Sequence, residues 1–181
     1  MPPSAILTRA EHAFLAAARR ATLATTAPDG RARLVPICFV LAETRDDPHG
    51  PALYTPLDEK PKQMRDPHRL GRVRDIERNA VVSVLVDRWD EDWTQLAWLR
   101  CDGRAGLIEP GSAPAERETA IAALRAKYPQ YAGHALEERP LIRVVIQRAV
   151  GWGDLSDRGT PRSPSAGGSE SSSSPGDIRR R

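Results

Sequence analysis

The residues best equipped for chemistry in this 181-residue chain are cations gathered in one stretch: Lys60, Lys62, Arg65, Arg69, Arg72, Arg74 and Arg78, against Asp66, Asp75 and Glu77. The chain has 24 Arg and only three Lys, and two of those three are Lys60 and Lys62. Ammonium and guanidinium groups make charge-assisted hydrogen bonds to phosphate oxygens, so this loop suits a phosphate; the same composition also describes a solvated basic turn. Other chemistries are poorly provided for. His12, His49, His68 and His134 lie in different segments, with neither metal-ligand spacing nor a Ser-His-Asp pattern. The phosphate-loop, dinucleotide-binding, nucleophile-elbow and His-Glu-x-x-His motifs are all missing from the sequence. Cys38 and Cys101, separated by 62 residues and each in an apolar stretch, read as two buried thiols rather than a disulfide or redox pair.

The elements that must position the basic loop are legible from pattern. Thr8 and Glu11 form a capping box, and Phe14, Leu15 and Ala18 follow on one face, which predicts a helix over about residues 8 to 20. Alternation in 21–27, the Pro28-Asp29-Gly30 turn and an apolar run from Arg31 to Ala42 predict a β-hairpin. Pro36 cannot donate to a ladder, so it belongs at an edge, at a bulge or where the strand opens towards a ligand. A short strand over 52–55 leads into the loop, and Leu70, Val73 and Ile76 mark an amphipathic helix beginning near Pro67 or His68. Strands are expected over 80–86, 96–108 and 141–150, and a third helix over 116–128. Gly103 and Gly106 are positions where the long strand bends, with Trp98 and Arg100 on one face and Leu99 and Cys101 on the other. About six strands that do not alternate with long helices argue for a mainly β fold, an antiparallel barrel or sandwich with peripheral helices.

Composition bounds the partners. The net charge is +3 and the isoelectric point near 9.2, which at first suggests an acidic polymer. Residues 157–181, however, hold five Arg and three acids among seven Ser, four Gly and three Pro. That composition is expected to be a disordered tail, leaving residues 1–156 as one nearly neutral domain. A nucleic-acid partner therefore ranks last, and a small acidic ligand ranks above it. No apolar run approaches the roughly 20 residues of a membrane span, and the first residues lack the order of a secretory signal, so a cytoplasmic protein is expected.

The order and spacing of ATLATTAPDGRARLVPICFV, LYTPLDEKPK, RDIERNAVVSVLVD, WDEDWTQLAWLRCDGRAGLIE and the final Gly151-Trp152 resemble the pyridoxamine 5'-phosphate oxidase-like split β-barrel superfamily over about residues 10–153. The DEKPK loop and the WDEDW segment are most similar to its deazaflavin-dependent branch, which uses coenzyme F-420. The resemblance implies a homodimer with the cofactor in a groove between subunits. It implies Lys60 and Lys62 as phosphate ligands, Arg65 as a third, and Thr55 at the same phosphate. It places the backbone of Pro36 and Ile37 beside the cofactor ring. Trp98 stands where an oxidase has a polar contact, so it either stacks near the ring or fills the dimer interface. Trp152 lies in the segment that approaches the cofactor, with core burial as the competing reading. The stretch Gln147-Arg148-Ala149-Val150-Gly151-Trp152-Gly153 only partly matches the Arg-x-x-Arg-Trp substrate segment of true oxidases, which argues against vitamin B6 chemistry.

The activity implied by this resemblance is hydride transfer between a deazaflavin and a small organic substrate, with FMN as the alternative cofactor. A non-catalytic binder of flavin or tetrapyrrole is the competing class. The cofactor would supply the difficult chemistry, so no catalytic residue is named; Tyr54, Asp102 and water are the open choices for a proton source.

Overall fold

A computed structural model describes residues 6–42, 50–57 and 66–156 of the chain. Lys60, Lys62, Arg65 and the expected tail from residue 157 lie outside the described residues.

Helix α1 (Arg9–Ala17) begins at the expected capping box: Glu11 N donates to Thr8 Oγ1 at 3.3 Å, and Thr8 N donates to Glu11 Oε2 at 2.7 Å. Strands β1 (Ala21–Thr26) and β2 (Ala32–Ile37) form the expected hairpin. The apolar run from Arg31 to Ala42 is not one strand, however. It breaks after Ile37, and β3 (Val40–Ala42) leaves to pair with β4 (Ala52–Pro56), so the sheet has seven strands where about six were expected. The remaining strands are β5 (Val81–Arg88), β6 (Ala97–Ile108) and β7 (Leu141–Gly153). Every pairing is antiparallel, in the order β2-β1-β5-β6-β7-β4-β3.

That order forces a shape. β2 and β3 lie at opposite ends of the sheet, yet only Cys38 and Phe39 separate them in the chain. Three extended steps reach about 11 Å, so the sheet must curl until its two edges meet at this corner, as a half-barrel. The corner backbone is supplied by a distant side chain. Phe39 N donates to Tyr128 Oη at 3.0 Å, and the Tyr128 hydroxyl lies 2.8 Å from Phe39 O and 3.0 Å from Arg19 O, sharing its proton between them. Cys38, at the same corner, is half-buried, while Cys101 is fully buried, which corrects the expectation of two buried thiols. Burial pushes the Cys101 thiol up to about 12, as befits an unreactive core residue.

The inward face is filled by Leu23, Val82, Val84, Val86, Leu99, Cys101, Ile142, Val144 and Ile146. Its ends are closed by Phe14 and Leu15 of α1 and by Val73 and Ile76 of α2 (Gly71–Arg78). The helix expected from Pro67 or His68 opens instead as a 3-10 turn over Pro67–Arg69, capped where His68 N donates to Asp66 Oδ1 at 2.9 Å. On β6 the register shifts between Asp102 and Gly103, where a Cβ would stand 2.1 Å from Val145 O; only glycine permits that approach.

Helix α3 (Pro114–Lys127) covers the outer side of β3, β4 and the first half of β7, burying Ala120, Ile121, Leu124 and Tyr128 against Val40, Tyr54, Ile108 and Leu141. The buried Arg117 guanidinium fixes the following segment, donating to Ile108 O at 2.8 Å, Leu136 O at 3.3 Å, Glu137 O at 3.1 Å and Arg139 O at 3.0 Å. Among the described residues no helix is long and apolar enough to cross a membrane.

Candidate functional site

Among the described residues, the same outer surface is bare over β2, β1, β5, β6 and the second half of β7. Antiparallel partners point to one side, so the register places Leu34 beside Ala24 and Ser83, Pro36 beside Thr22 and Leu85, and Trp98 between Asp87 and Trp152. Leu34 is 64% exposed, Val81 55%, Leu85 38% and Trp152 55%, an unusual outlay of large apolar side chains on one sheet face. Polar side chains share the face, among them Thr22, Asp87 and Arg148, and three of them are joined at its middle: Ser83 Oγ donates to Asp102 Oδ1 at 2.7 Å, and Arg100 Nε lies 3.1 Å from the same oxygen.

Three of the expected site residues, Pro36, Trp98 and Trp152, thus share this face. Trp98 and Trp152 are a directly opposed cross-strand pair, a contact their 54-residue separation does not reveal. The 55% exposure of Trp152 excludes core burial. Arg88 steadies this end of the sheet, donating to Gln95 O at 2.9 Å and to Asp154 O, with its guanidinium 5.5 Å from the Phe14 ring centroid. Pro36 sits on edge strand β2, whose outer rim pairs with no other strand among the described residues, one of the settings expected for it.

Ile37 and Thr55 point the other way. Both are buried, and the Ile37–Ala21 and Thr55–Ile142 pairs face the interior. Tyr54 is 2% exposed and its hydroxyl donates to Glu116 Oε1 at 2.6 Å, beneath α3. It is therefore removed as a proton source for chemistry on the bare face. Asp102 does lie on that face.

At the inner rim of β2 the structure adds a cluster that the sequence did not single out. Asp75 of α2 is 1% exposed; Thr25 Oγ1 donates to its Oδ2 at 2.8 Å and Arg33 Nε at 2.7 Å. Burial by itself would raise this carboxyl, but the hydrogen bonds from Arg33 and Thr25 and the charges of Arg33 and Arg78 outweigh it and hold the group below its ordinary value. Gly71 makes room, because a Cβ there would stand 2.7 Å from the Arg33 guanidinium carbon. The Arg33 side chain remains 41% exposed, so a fixed cation stands at the start of α2, the helix that follows residues 58–65 in the sequence. In the sequence Asp75 counts merely as one acid against the basic stretch. Among the described residues no group of His, Cys, Asp and Glu could hold a metal ion.

A seven-stranded antiparallel half-barrel with α-helices at its ends and on part of its outer side is a split β-barrel. The chain belongs to the pyridoxamine 5'-phosphate oxidase family, whose model matches residues 7–153. Solved structures agree at the level of fold. A conserved hypothetical protein from Mycobacterium tuberculosis is 21% identical, with a TM-score of 0.61 over 93% of this chain and 98% of its own. A putative pyridoxamine 5'-phosphate oxidase from Listeria innocua is 19% identical, with a TM-score of 0.51 over 76% of this chain and 91% of its own. The heme storage protein HutZ from Vibrio cholerae is 17% identical, with a TM-score of 0.55 over 77% of this chain and 89% of its own. Among curated proteins none matches the chain.

Proposed function

We propose that the protein is a homodimeric oxidoreductase that holds coenzyme F-420 across the edge of β2 and transfers a hydride to or from a small organic substrate. The observation that carries this reading is the bare sheet face with Pro36, Trp98 and Trp152 on it, beside a rim where Arg33 is fixed by Asp75. An elongated acidic cofactor with a planar head needs a cationic end and an apolar surface, and this chain offers both on either side of one edge strand. Lys60, Lys62 and Arg65 would join Arg33 around the phosphate, with Thr55 near the strand end. The backbone of Pro36 and Ile37 would border the ring, with Trp98 and Trp152 flanking it or a second subunit. A partner packed on Leu34, Val81 and Leu85 would exclude water from the ring, which favours hydride transfer over side reactions. The bound deazaflavin supplies the hydride chemistry; the protein's part is to align and desolvate. Asp102 is engaged by Ser83 and Arg100, so no side chain is assigned as proton donor.

FMN is the alternative occupant, and flavin binding is represented among proteins of similar fold by an FAD-binding protein from Mesorhizobium loti, 22% identical with a TM-score of 0.51. A tetrapyrrole role of the kind named for HutZ is less well served, since the described residues of the bare face include no His, Met, Cys or Tyr to ligate haem iron. Fluorescence titration of the purified protein with F-420 and with FMN decides between these readings. Saturable micromolar binding of F-420 without FMN supports the proposal, the reverse preference moves it to the flavin alternative, and failure to bind either sinks both. The double variant Lys60→Ala/Lys62→Ala should weaken cofactor affinity at least tenfold; an unchanged affinity would overturn the phosphate assignment.

A further inference from the structure

Between α1 and α3 a cleft of about 400 Å³ opens beside the Cys38-Phe39 corner, lined by Ala16, Val40, Leu41, Ala123, Ala126 and Lys127. Five of these six side chains are purely alkyl, and the sixth is the last residue of α3. The Lys127 ammonium stands 4.4 Å from the Phe39 ring centroid and 5.7 Å from that of Tyr128, while the Arg19 guanidinium stands 5.2 Å from the same Tyr128 ring. Two cations therefore stand against one aromatic ring, and one of them, Lys127, lines the apolar cleft. Among the described residues no carboxylate pairs with either of them. Aromatic faces attract a cation but do not neutralise it, so both charges remain available to an anion.

We infer that this cleft binds an aliphatic carboxylate, with its alkyl chain among Ala16, Val40, Leu41, Ala123 and Ala126 and its carboxylate on Lys127 and Arg19. The cleft is open, with Ala16 and Ala126 exposed, so it suits a slender alkyl chain laid along it rather than an enclosed ligand. The state of Lys127 agrees with an absent counter-ion: burial, with the Arg19 charge adding to it and Cys38 opposing, pushes the amine down to about 8. A carboxylate at this position would offset the repulsion between the two cations. The inference needs neither the cofactor nor a second subunit, so it stands or falls separately from the oxidoreductase reading.

The test uses the full chain, with no flavin or deazaflavin present, and sodium octanoate as the probe. Amine acylation by an N-hydroxysuccinimide ester at pH 8 is read at each lysine by mass spectrometry. Octanoate should slow modification of Lys127 saturably, by at least fivefold, and leave Lys60 and Lys62 unaffected; acetate and 1-octanol should do neither. Calorimetric affinity for octanoate should fall at least tenfold in Lys127→Met, as expected for loss of a charge-assisted contact, and also in Ala126→Trp, which fills the mouth of the cleft. Circular dichroism melting confirms that each variant is folded. Unchanged Lys127 reactivity in the wild-type chain, octanol binding as tightly as octanoate, or full affinity in folded Lys127→Met would each overturn the inference.

Discussion

The outer side of this one curled sheet is finished in two different ways. Over β3, β4 and the first half of β7, α3 lies on the strands, and Leu124, Tyr128, Tyr131 and Leu136 bury what those strands present. Over β2, β1 and β5 none of the described residues lies outside, and Leu34, Val81 and Leu85 are exposed. The bare half is not loosely held, because α2 grips it from within: Asp75 binds Thr25 of β1 and Arg33 of β2, and Arg78 Nη2 donates to Thr26 O at 2.6 Å. Anchoring from inside leaves the outer face free of any duty to the isolated fold. Large apolar side chains kept on such a face are best explained by something that covers them.

The contrast gives an order of effects. Leu124→Ala on α3 removes a fully buried side chain from the covered half and should cost about 2–5 kcal/mol in denaturant unfolding. A loss below about 1 kcal/mol would mean that α3 is not firmly docked. Asp75→Asn should cost about 1–3 kcal/mol at pH 7, since the hydrogen bonds survive in neutral form but the charge on Arg33 loses its partner. Its pH dependence follows from the lowered carboxyl. A group whose folded value lies below its unfolded one stabilises fully above the ordinary carboxylate range, and that stability is lost as pH falls through the folded value. The gap between wild type and Asp75→Asn should therefore be constant near neutrality and narrow once pH drops below about 4; a gap that widens in acid would contradict the assignment. Tyr128→Phe, which strips the corner of its shared hydroxyl, should cost about 1–2 kcal/mol and be accompanied by faster amide exchange at Phe39.

The covered and bare halves were not equally legible in the sequence. The capping box at Thr8, the hairpin turn, the irregularity at Gly103 and the alternation that sets Trp98 opposite Leu99 are local patterns, and each survives in the structure. The break between β2 and β3 is not local. Cys38 and Phe39 continue an apolar run, and the groups that satisfy the turned backbone come from Tyr128, 89 residues beyond Phe39. The Asp75 cluster was hidden for the same reason, because a carboxylate in a basic stretch reads as surface until a strand 50 residues earlier closes over it. Of the candidate site, the shared face of Pro36, Trp98 and Trp152 required knowing the register, whereas the expectation that Ile37 and Thr55 lie near the same ligand requires that ligand to cross an edge.

The smallest expected effect on stability is the most informative. Leu34→Ser with Leu85→Ser changes two exposed residues on adjacent rows of the bare face, so the isolated chain should lose no more than about 0.5 kcal/mol. Were α3-like cover supplied from elsewhere in the same chain, the double change would instead cost as much as a core truncation. In a homodimer built on this face the cost appears in association. Sedimentation velocity at micromolar concentration should show the wild-type chain as a two-fold dimer and the double variant shifted towards monomer, with the far-ultraviolet spectrum unchanged. A wild-type monomer at the highest attainable concentration would show that the apolar face serves a ligand or another protein, and a dimer indifferent to both substitutions would place the interface elsewhere.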